Sequence, residues 1–158
     1  YLFTHEYLGE QGFEHYEVSN YARRGATARH NEHYWRGGDY LGIGAAAVGC
    51  LSNGTGARRY KNAIEPSRYM RSPGVDEEES ETLDGEIRTQ EGLMLGLRTN
   101  AGVDLQALEA RTGFAFRAQR ESALARGLAR GDLEFDDQVL RVPRNKWLLL
   151  DGIVASLF

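Results

Sequence analysis

Cysteine is nearly absent from this chain, which has one cysteine, Cys50, among 158 residues. A single thiol excludes an internal disulfide, and it excludes any zinc or iron–sulfur site that needs several cysteines of this chain. Large apolar residues run no further than residues 147–150 (WLLL), whereas a membrane span needs about 20 apolar residues. No basic and then apolar signal segment opens the sequence. These absences predict a soluble, cytoplasmic protein of a reducing compartment that is not transmembrane.

A surplus of positive charge is also missing. Lys and Arg total 19 against 23 Asp and Glu, which gives a formal net charge of -4. A nucleic-acid-binding protein usually carries a basic surplus, so no nucleic-acid partner is expected. Apolar residues at 41% and charged residues at 27% suffice for a folded core and argue against disorder. Because the chain begins with Tyr1 rather than Met, we expect it to be part of a longer protein.

Histidine and tyrosine are missing from the second half of the chain. All 4 His and all 8 Tyr lie in residues 1–74. The change follows Pro73 and Gly74, a pair that ends helices and strands. The acidic run after it, residues 76–79 (DEEE), is typical of a solvated link and also suits the start of a helix. We therefore predict an α+β protein with two domains, residues 1–74 and 75–158.

Short elements are predicted in the first domain. Residues 13–19 alternate apolar and polar side chains, which is the pattern of a half-buried strand. Turn residues at 52–56 (SNGTG) predict a hairpin between 47–52 and 57–61. The other predicted elements are a helix over 2–11, one or two helical turns over 29–35, and a short helix over 64–70 with Pro66 in its first turn.

The second domain is predicted to be helical, with one hairpin. Leu83, Ile87, Met94 and Leu97 share one face of a helix over roughly 80–98. Asp104 is a plausible N-cap for a helix over 105–112, and Gly113 lies just beyond the end of this second helix. The remaining predictions are helices around Leu124 and Leu128 up to Gly131, and over 147–158, with a hairpin of 133–135 and 139–142. This order resembles a winged-helix arrangement, which by itself implies no function.

A glycine-rich segment formally matches a dinucleotide-binding pattern. Gly42, Gly44 and Ala47 fit G-x-G-x-x-A, which requires a hydrophobic strand before it and a helix after it. Residues 36–39 (RGGD) precede the segment and Asn53-Gly54 follows soon after, so the context is poor. The alternative is that small residues let backbone or a ligand approach closely.

Two histidines could share one face of the helical turns over 29–35. His30 and His33 are three residues apart, but a zinc site needs two more ligands, from His5, His15, Cys50 or carboxylates. No His-Glu-x-x-His or Cys-x-x-Cys pattern supports zinc. A histidine beside Asn, Tyr and Trp also serves as a hydrogen-bonding anchor. Likewise, the basic cluster 58–61 (RRYK) suits either an anionic group or a solvated hairpin edge.

Several motifs resemble those of the oxygen-independent coproporphyrinogen III oxidase-like proteins, which are radical S-adenosylmethionine (SAM) proteins and include the haem chaperones. The first motifs are residues 12–22 (GFEHYEVSNYA), 29–35 (RHNEHYW) and 38–45 (GDYLGIGA). The resemblance continues through 94–99 (MLGLRT), 102–105 (GVDL) and 146–154 (KWLLLDGIV). The motifs follow the family's order over nearly the whole chain, and the haem-chaperone branch is the most similar. Members of that branch often have Gly in place of Ala46 and His in place of Val48.

The resemblance implies a fold and a set of cofactors. Residues 1–74 would be the C-terminal end of the radical SAM α/β barrel, and 75–158 a helical, winged-helix-like domain with a β-hairpin. The family's N-terminal barrel region, missing here, carries the C-x-x-x-C-x-x-C motif that holds a [4Fe–4S] cluster with SAM on its open iron. That region would be the partner of this chain.

The resemblance also implies site residues and a function. Gly42, Gly44 and Val48 would lie beside SAM. His30, Asn31 and Tyr34 would bind haem or another tetrapyrrole, with His30 as the metal ligand, and no catalytic residue is implied. The chain would be part of a haem chaperone in haem (porphyrin) metabolism. Two alternatives are a true oxidative decarboxylase of coproporphyrinogen III and a winged-helix interaction module.

The cysteine content predicts that the isolated chain neither assembles a [4Fe–4S] cluster nor cleaves SAM, because a site-differentiated cluster needs three thiolates. Anaerobic reconstitution, followed by iron analysis and an assay for 5′-deoxyadenosine, would test this. Stoichiometric iron together with SAM turnover would contradict the prediction.

Overall fold

A computed structural model describes residues 1–73 and 77–158. The predicted domain boundary at residues 74 and 75 lies outside the described residues. The first elements are α1 (Leu2–Glu10), β1 (Glu14–Glu17), β2 (Asn20–Ala22), α2 (Arg29–Trp35), β3 (Val48–Asn53), β4 (Gly56–Asn62), α3 (Pro66–Arg71) and β5 (Glu77–Leu83). They are followed by α4 (Gly85–Gly96), β6 (Val103–Asp104), α5 (Leu105–Thr112), α6 (Phe116–Gln119), α7 (Glu121–Ala129), β7 (Glu134–Asp136), β8 (Val139–Arg141), a 3-10 helix (Arg144–Leu149) and α8 (Leu150–Ala155). No helix within these ranges combines the length and the apolar character needed to cross a membrane.

The strands form three small antiparallel sheets, with orders β1-β2, β3-β4-β5 and β6-β8-β7. The predicted hairpin of β3 and β4 is confirmed, with Asn53 opposite Gly56. Gly54 takes a φ of 60° in the turn between them, a conformation that glycine adopts without steric cost. A barrel strand needs parallel neighbours, whereas β1 pairs with the antiparallel strand β2 and forms an isolated antiparallel bridge with Thr99. The barrel therefore stays a prediction about the longer protein.

Strand β5 corrects the prediction for the acidic run. Residues 77–79 were predicted as a solvated link or the start of a helix, and residues 80–83 as the first turn of the helix over 80–98. Both predictions are wrong, because residues 77–83 form a strand that pairs with β4. Glu77 and Glu81 form ion pairs with Arg58 and Arg59 of β4. The helix α4 begins only after Asp84, whose side chain accepts a hydrogen bond from the Ile87 amide at 2.9 Å.

The buried face of α4 also differs from the prediction. Ile87 and Met94 are 39% and 48% exposed, although the apolar pattern placed them in the core with Leu83 and Leu97, which are buried. Glycines explain the difference, because they let neighbouring elements pack closely against another face. A Cβ on Gly92 would lie 2.8 Å from Leu108, and a Cβ on Gly96 would lie 2.4 Å from Val103.

The C-terminal half follows the predicted order of helices, a hairpin and a closing helix, and it adds the short strand β6 and the helix α6, which were not predicted. Asp104 caps α5 by accepting a hydrogen bond from the Ala107 amide at 2.8 Å, and Gly113 ends the helix at a φ of 70°. The predicted helix over 147–158 is wrong in detail. It starts as the 3-10 helix, in which the Lys146 amide donates to the Pro143 carbonyl, and becomes α-helical at Leu150. Its apolar residues enter one core, as predicted: Trp147, Leu150, Val154 and Leu157.

His15 links β1 to this core. Its ring stacks on Tyr21 with centroids 4.1 Å apart and meets the edge of Trp147 at 4.9 Å. His15 is 4% exposed, and its Nε2 donates to the Val18 carbonyl at 3.0 Å. Burial lowers the pKa of His15, and His5 and Arg144 lower it further. The Val18 carbonyl and the Glu17 carboxylate act in the opposite direction.

Replacement of Trp147 should destabilise the fold strongly. Trp147 is 2% exposed, and its indole N–H donates to the Val142 carbonyl. We expect Trp147→Ala to lower the free energy of unfolding in urea by about 3–5 kcal/mol, because a large cavity replaces the ring. The exposed Leu149 offers a matched control, since Leu149→Ala should change it by less than about 1 kcal/mol. Equal effects of the two substitutions would contradict the burial of Trp147.

The stability of the chain should fall in mild acid because of His15. A lowered pKa in the folded state means that the unfolded chain takes up the proton first, near its ordinary pKa of about 6.5. The contribution of neutral His15 is therefore present above that pH and is lost as the pH falls from about 7 towards 5. His15→Gln should remove up to about 1.4 kcal/mol of this loss per pH unit. His33→Gln, which removes a histidine at an exposed position, is the matched control, and parallel curves for wild type and His15→Gln would contradict the assignment.

Candidate functional site

Helix α2 carries the residues that the family resemblance associates with haem. His30 is exposed, and its ring lies edge-on to Tyr34 one turn later, with centroids 5.0 Å apart. The structure therefore brings His30 and Tyr34 together, as their spacing predicts. Asn31 is half-buried, and neither it nor any other described residue forms a hydrogen bond with the His30 ring. The imidazole nitrogens of His30 are thus available to a ligand.

His33 on the same helix is engaged within the chain. Its Nε2 donates to the Asp39 carbonyl at 2.7 Å, and its ring packs on Gly38, where a Cβ would lie 2.3 Å from Cε1. This is the anchoring role that sequence reasoning left open for both histidines. Within the described ranges, no three His, Cys, Asp or Glu side chains are grouped to hold a metal ion.

The glycine-rich segment is held against β4 and α3 by hydrogen bonds. The Asn62 side chain donates to the carbonyls of Gly42 and Gly44 at 3.0 and 2.9 Å. The amides of these glycines donate to the hydroxyls of Tyr60 and Tyr69 at 3.2 and 3.1 Å. These bonds fix the segment next to the start of β3.

Close backbone packing and backbone conformation account for the glycines of this segment, and the dinucleotide-binding hypothesis is wrong. A Cβ on Gly42 would lie 2.6 Å from the carbonyl carbon of Val48, and Gly44 has a φ of 108°. The segment continues into strand β3, whereas a dinucleotide site needs a helix there. Ala46 has a φ of 60°, a left-handed backbone conformation that favours glycine.

The predicted SAM-side residues have room for a ligand. Gly44 has no atom within 4 Å of an added Cβ, and the side chains of Val48 and Ile43 are 40% and 83% exposed. An iron–sulfur cluster does not fit the residues present, because Cys50 is the sole cysteine. Burial raises the pKa of the Cys50 thiol, although the neighbouring Arg59 lowers it.

A buried ion pair that sequence reasoning missed joins the two halves. Glu17 of β1 is 1% exposed and accepts a hydrogen bond from Arg98 Nε at 2.8 Å. Its second oxygen accepts from the Ser19 amide at 2.9 Å and from the Asn20 side chain at 2.6 Å. Both partners lie in motifs of the resemblance, residues 12–22 and 94–99, but no local pattern in the sequence signals their contact.

A cavity of about 300 Å³ lies between α2, β3 and α4. We call it the Tyr34 cavity, defined by Tyr34, Tyr40, Arg88 and Arg111 among its lining residues. The rings of Tyr34 and Tyr40 lie 4.7 Å apart. Since Tyr34 also contacts His30, the cavity adjoins the exposed face of α2.

Comparison with known proteins identifies relatives of the whole chain. Residues 83–149 match the HemN C-terminal domain. The Heme chaperone HemW of Lactococcus lactis is 34% identical over 110 residues, which cover 69% of this chain and 28% of that protein. The Radical S-adenosyl methionine domain-containing protein 1, mitochondrial, of Danio rerio is 34% identical over 163 residues, covering 95% of this chain and 36% of that protein. The chain thus spans about a third of these relatives.

A solved structure has the same fold. The coproporphyrinogen III oxidase HemN from Escherichia coli, described as a radical SAM enzyme, superposes with a TM-score of 0.67 at 17% identity. The match covers 99% of this chain and 39% of that one. The chain therefore belongs to the HemN/HemW-like family of radical SAM proteins, and residues 83–149 are its HemN C-terminal domain.

Proposed function

We propose that this chain is the haem-binding part of a radical SAM haem chaperone and that His30 binds the haem iron. The observation that carries the proposal is the free, exposed ring of His30 beside Tyr34, on the helix where His33 is already engaged. The names of the HemW relatives support haem as the ligand.

The chemistry of α2 suits an iron tetrapyrrole. A neutral imidazole is a good axial ligand for haem iron. The rings of Tyr34 and Tyr40 add an aromatic surface beside His30, against which a flat macrocycle can pack. His30 would hold the iron, and the tyrosines would orient the ring.

The [4Fe–4S] cluster and most of the SAM site would come from the barrel region of the longer protein. Gly42, Gly44 and Val48 would contribute the wall of this chain, at the edge where Val48 is exposed. When bound, SAM would be the precursor of a reactive radical, and the residues of this chain would only bind SAM and shield it from water. The cytoplasmic location inferred from composition is part of this proposal.

Oxidative decarboxylation of coproporphyrinogen III is the second candidate. The likeness to the fold of the E. coli oxidase over 99% of the chain favours it. It predicts that the longer protein consumes coproporphyrinogen III, whereas a chaperone does not.

The interaction-module alternative for the C-terminal half loses its main support. Four arginines around α7 form the basic surface that a nucleic-acid contact would need, and three of them are paired with carboxylates. The pairs are Arg117–Glu109, Arg120–Glu86 and Arg130–Asp132. Internal pairing removes much of the charge that would attract phosphates.

A haem titration tests the role of His30. We expect the chain to bind haem with a shifted Soret band, and His30→Ala to lose that band or to weaken haem binding by about tenfold or more, because the axial nitrogen is gone. His33→Ala is the matched control, because it removes an imidazole from the same helix and should leave the Soret band in place. Unchanged binding in His30→Ala would remove the ligand role, and loss in His33→Ala alone would transfer that role to His33.

A further inference from the structure

Arg111 of α5 has no carboxylate partner among the described residues. Its Nη1 donates to the backbone carbonyl of Arg36, just after α2. By contrast, Arg59 in the same cavity is paired with Glu91 and Glu81. The Arg111 side chain is solvent-accessible, so most of the donors of its guanidinium remain open to a ligand.

The guanidinium of Arg111 lies next to two glycines, whose lack of a side chain leaves room for it. A Cβ on Gly37 would lie 3.0 Å from Nη2, and a Cβ on Gly92 would lie 3.3 Å from the same atom. Gly37 follows α2 and Gly92 lies on α4, so the guanidinium occupies a slot between these elements. A side chain at either position would press on it. In the structure, the guanidinium thus lies between α2 and α4 and is tied to the Arg36 carbonyl.

A second unneutralised arginine lies close by. Arg88 is 9% exposed, and its guanidinium donates only to neutral oxygens within residues 1–73 and 77–158. These acceptors are the carbonyls of Thr55 and Gly56, at 3.0 and 2.7 Å, and the Ser52 hydroxyl, at 2.8 Å. Partial burial lowers the pKa of Arg111, the charge of Arg88 lowers it further, and the charge of Asp39 raises it. Asp39 is the acid whose charge acts on Arg111, and neither arginine forms an ion pair with it among the described residues.

The acids of the Tyr34 cavity are already engaged. Asp39 accepts hydrogen bonds from the amide and the hydroxyl of Ser52 at 3.0 and 2.6 Å, and Glu91 is paired with Arg59. The hydroxyls of Tyr34 and Tyr40 have no hydrogen-bond partner among the described residues. The cavity therefore offers positive charge and hydroxyl donors, which together suit a carboxylate.

We propose that the Tyr34 cavity receives a carboxylate side arm of the tetrapyrrole bound against α2, and that Arg111 is the residue that binds it. The inference rests on the proposed function, since it requires a ligand on the face of His30 and Tyr34. The planar guanidinium of Arg111 matches a carboxylate with two parallel hydrogen bonds. The chain would thereby select tetrapyrroles with free carboxylates over esterified ones.

Metal-free protoporphyrin IX and its dimethyl ester separate this inference from the proposed function, because neither contains iron. Binding is followed by porphyrin fluorescence. We expect Arg111→Gln to weaken binding of the free acid by about tenfold, or 1.4 kcal/mol, and to leave binding of the ester unchanged. Arg111→Lys should restore part of the affinity by keeping the charge. Arg126→Gln is the control, because Arg126 lies on α7 away from the cavity.

The outcomes are distinct. If wild type fails to bind the free acid, or binds acid and ester alike, or if Arg111→Gln weakens both equally, the inference is overturned. A lower thermal midpoint of Arg111→Gln would not mimic the expected result, because misfolding would weaken both porphyrins. His30→Ala should weaken haem and spare metal-free porphyrin. If haem binding proves independent of His30 while the Arg111 effect holds, the iron-ligand proposal fails and the carboxylate site remains.

Discussion

The buried carboxylate of Glu17 is the constraint on which the arrangement of the molecule depends. A buried charge is costly unless it is paired and hydrogen-bonded. Arg98, which follows α4 by two residues, supplies the positive charge that pairs with Glu17. The pairing places β1 along residues 98–100, where the Val18 amide donates to the Arg98 carbonyl and the Asn100 amide to the Tyr16 carbonyl. The Tyr16 hydroxyl in turn accepts from the amide of Ala28, the N-cap of α2. The helix that presents His30 is thus positioned from the HemN C-terminal domain.

Local signals in the sequence were sufficient for much of the fold. The glycine turn between β3 and β4, Pro66 at the start of α3, and the Asp104 cap with Gly113 act within a few residues, and each of these elements is where it was predicted. The strand β5 could not be recognised in this way, because it exists through pairing with Arg58 and Arg59 of β4. An acidic run read alone resembles a solvated link.

The candidate site likewise combines contacts that local spacing predicts with contacts that it does not predict. His30 and Tyr34 lie one helical turn apart, so their contact followed from spacing. Arg98 lies 81 positions beyond Glu17, and Arg111 lies 75 positions beyond the Arg36 carbonyl that it contacts. No periodicity connects residues so far apart, and only the folded chain brings them together. The roles of Gly37 and Gly92 were similarly hidden, because the lack of a side chain has meaning only beside the atom that takes its place, whereas close backbone approach at Gly42 was one of the two predicted readings of its segment.

The glutamates of β5 have a consequence for association between molecules. Strand β5 lies at the edge of its sheet, where unpaired backbone groups invite a strand from another chain. Its sequence EEESETL places carboxylates along that edge, and a second copy would bring the same charges against them. Pairing of this edge with the same edge of a second copy is thereby opposed by repulsion at neutral pH. Glu77 and Glu81 therefore have two effects: they bind β5 to β4 through Arg58 and Arg59, and they oppose pairing of β5 with the same strand of another molecule.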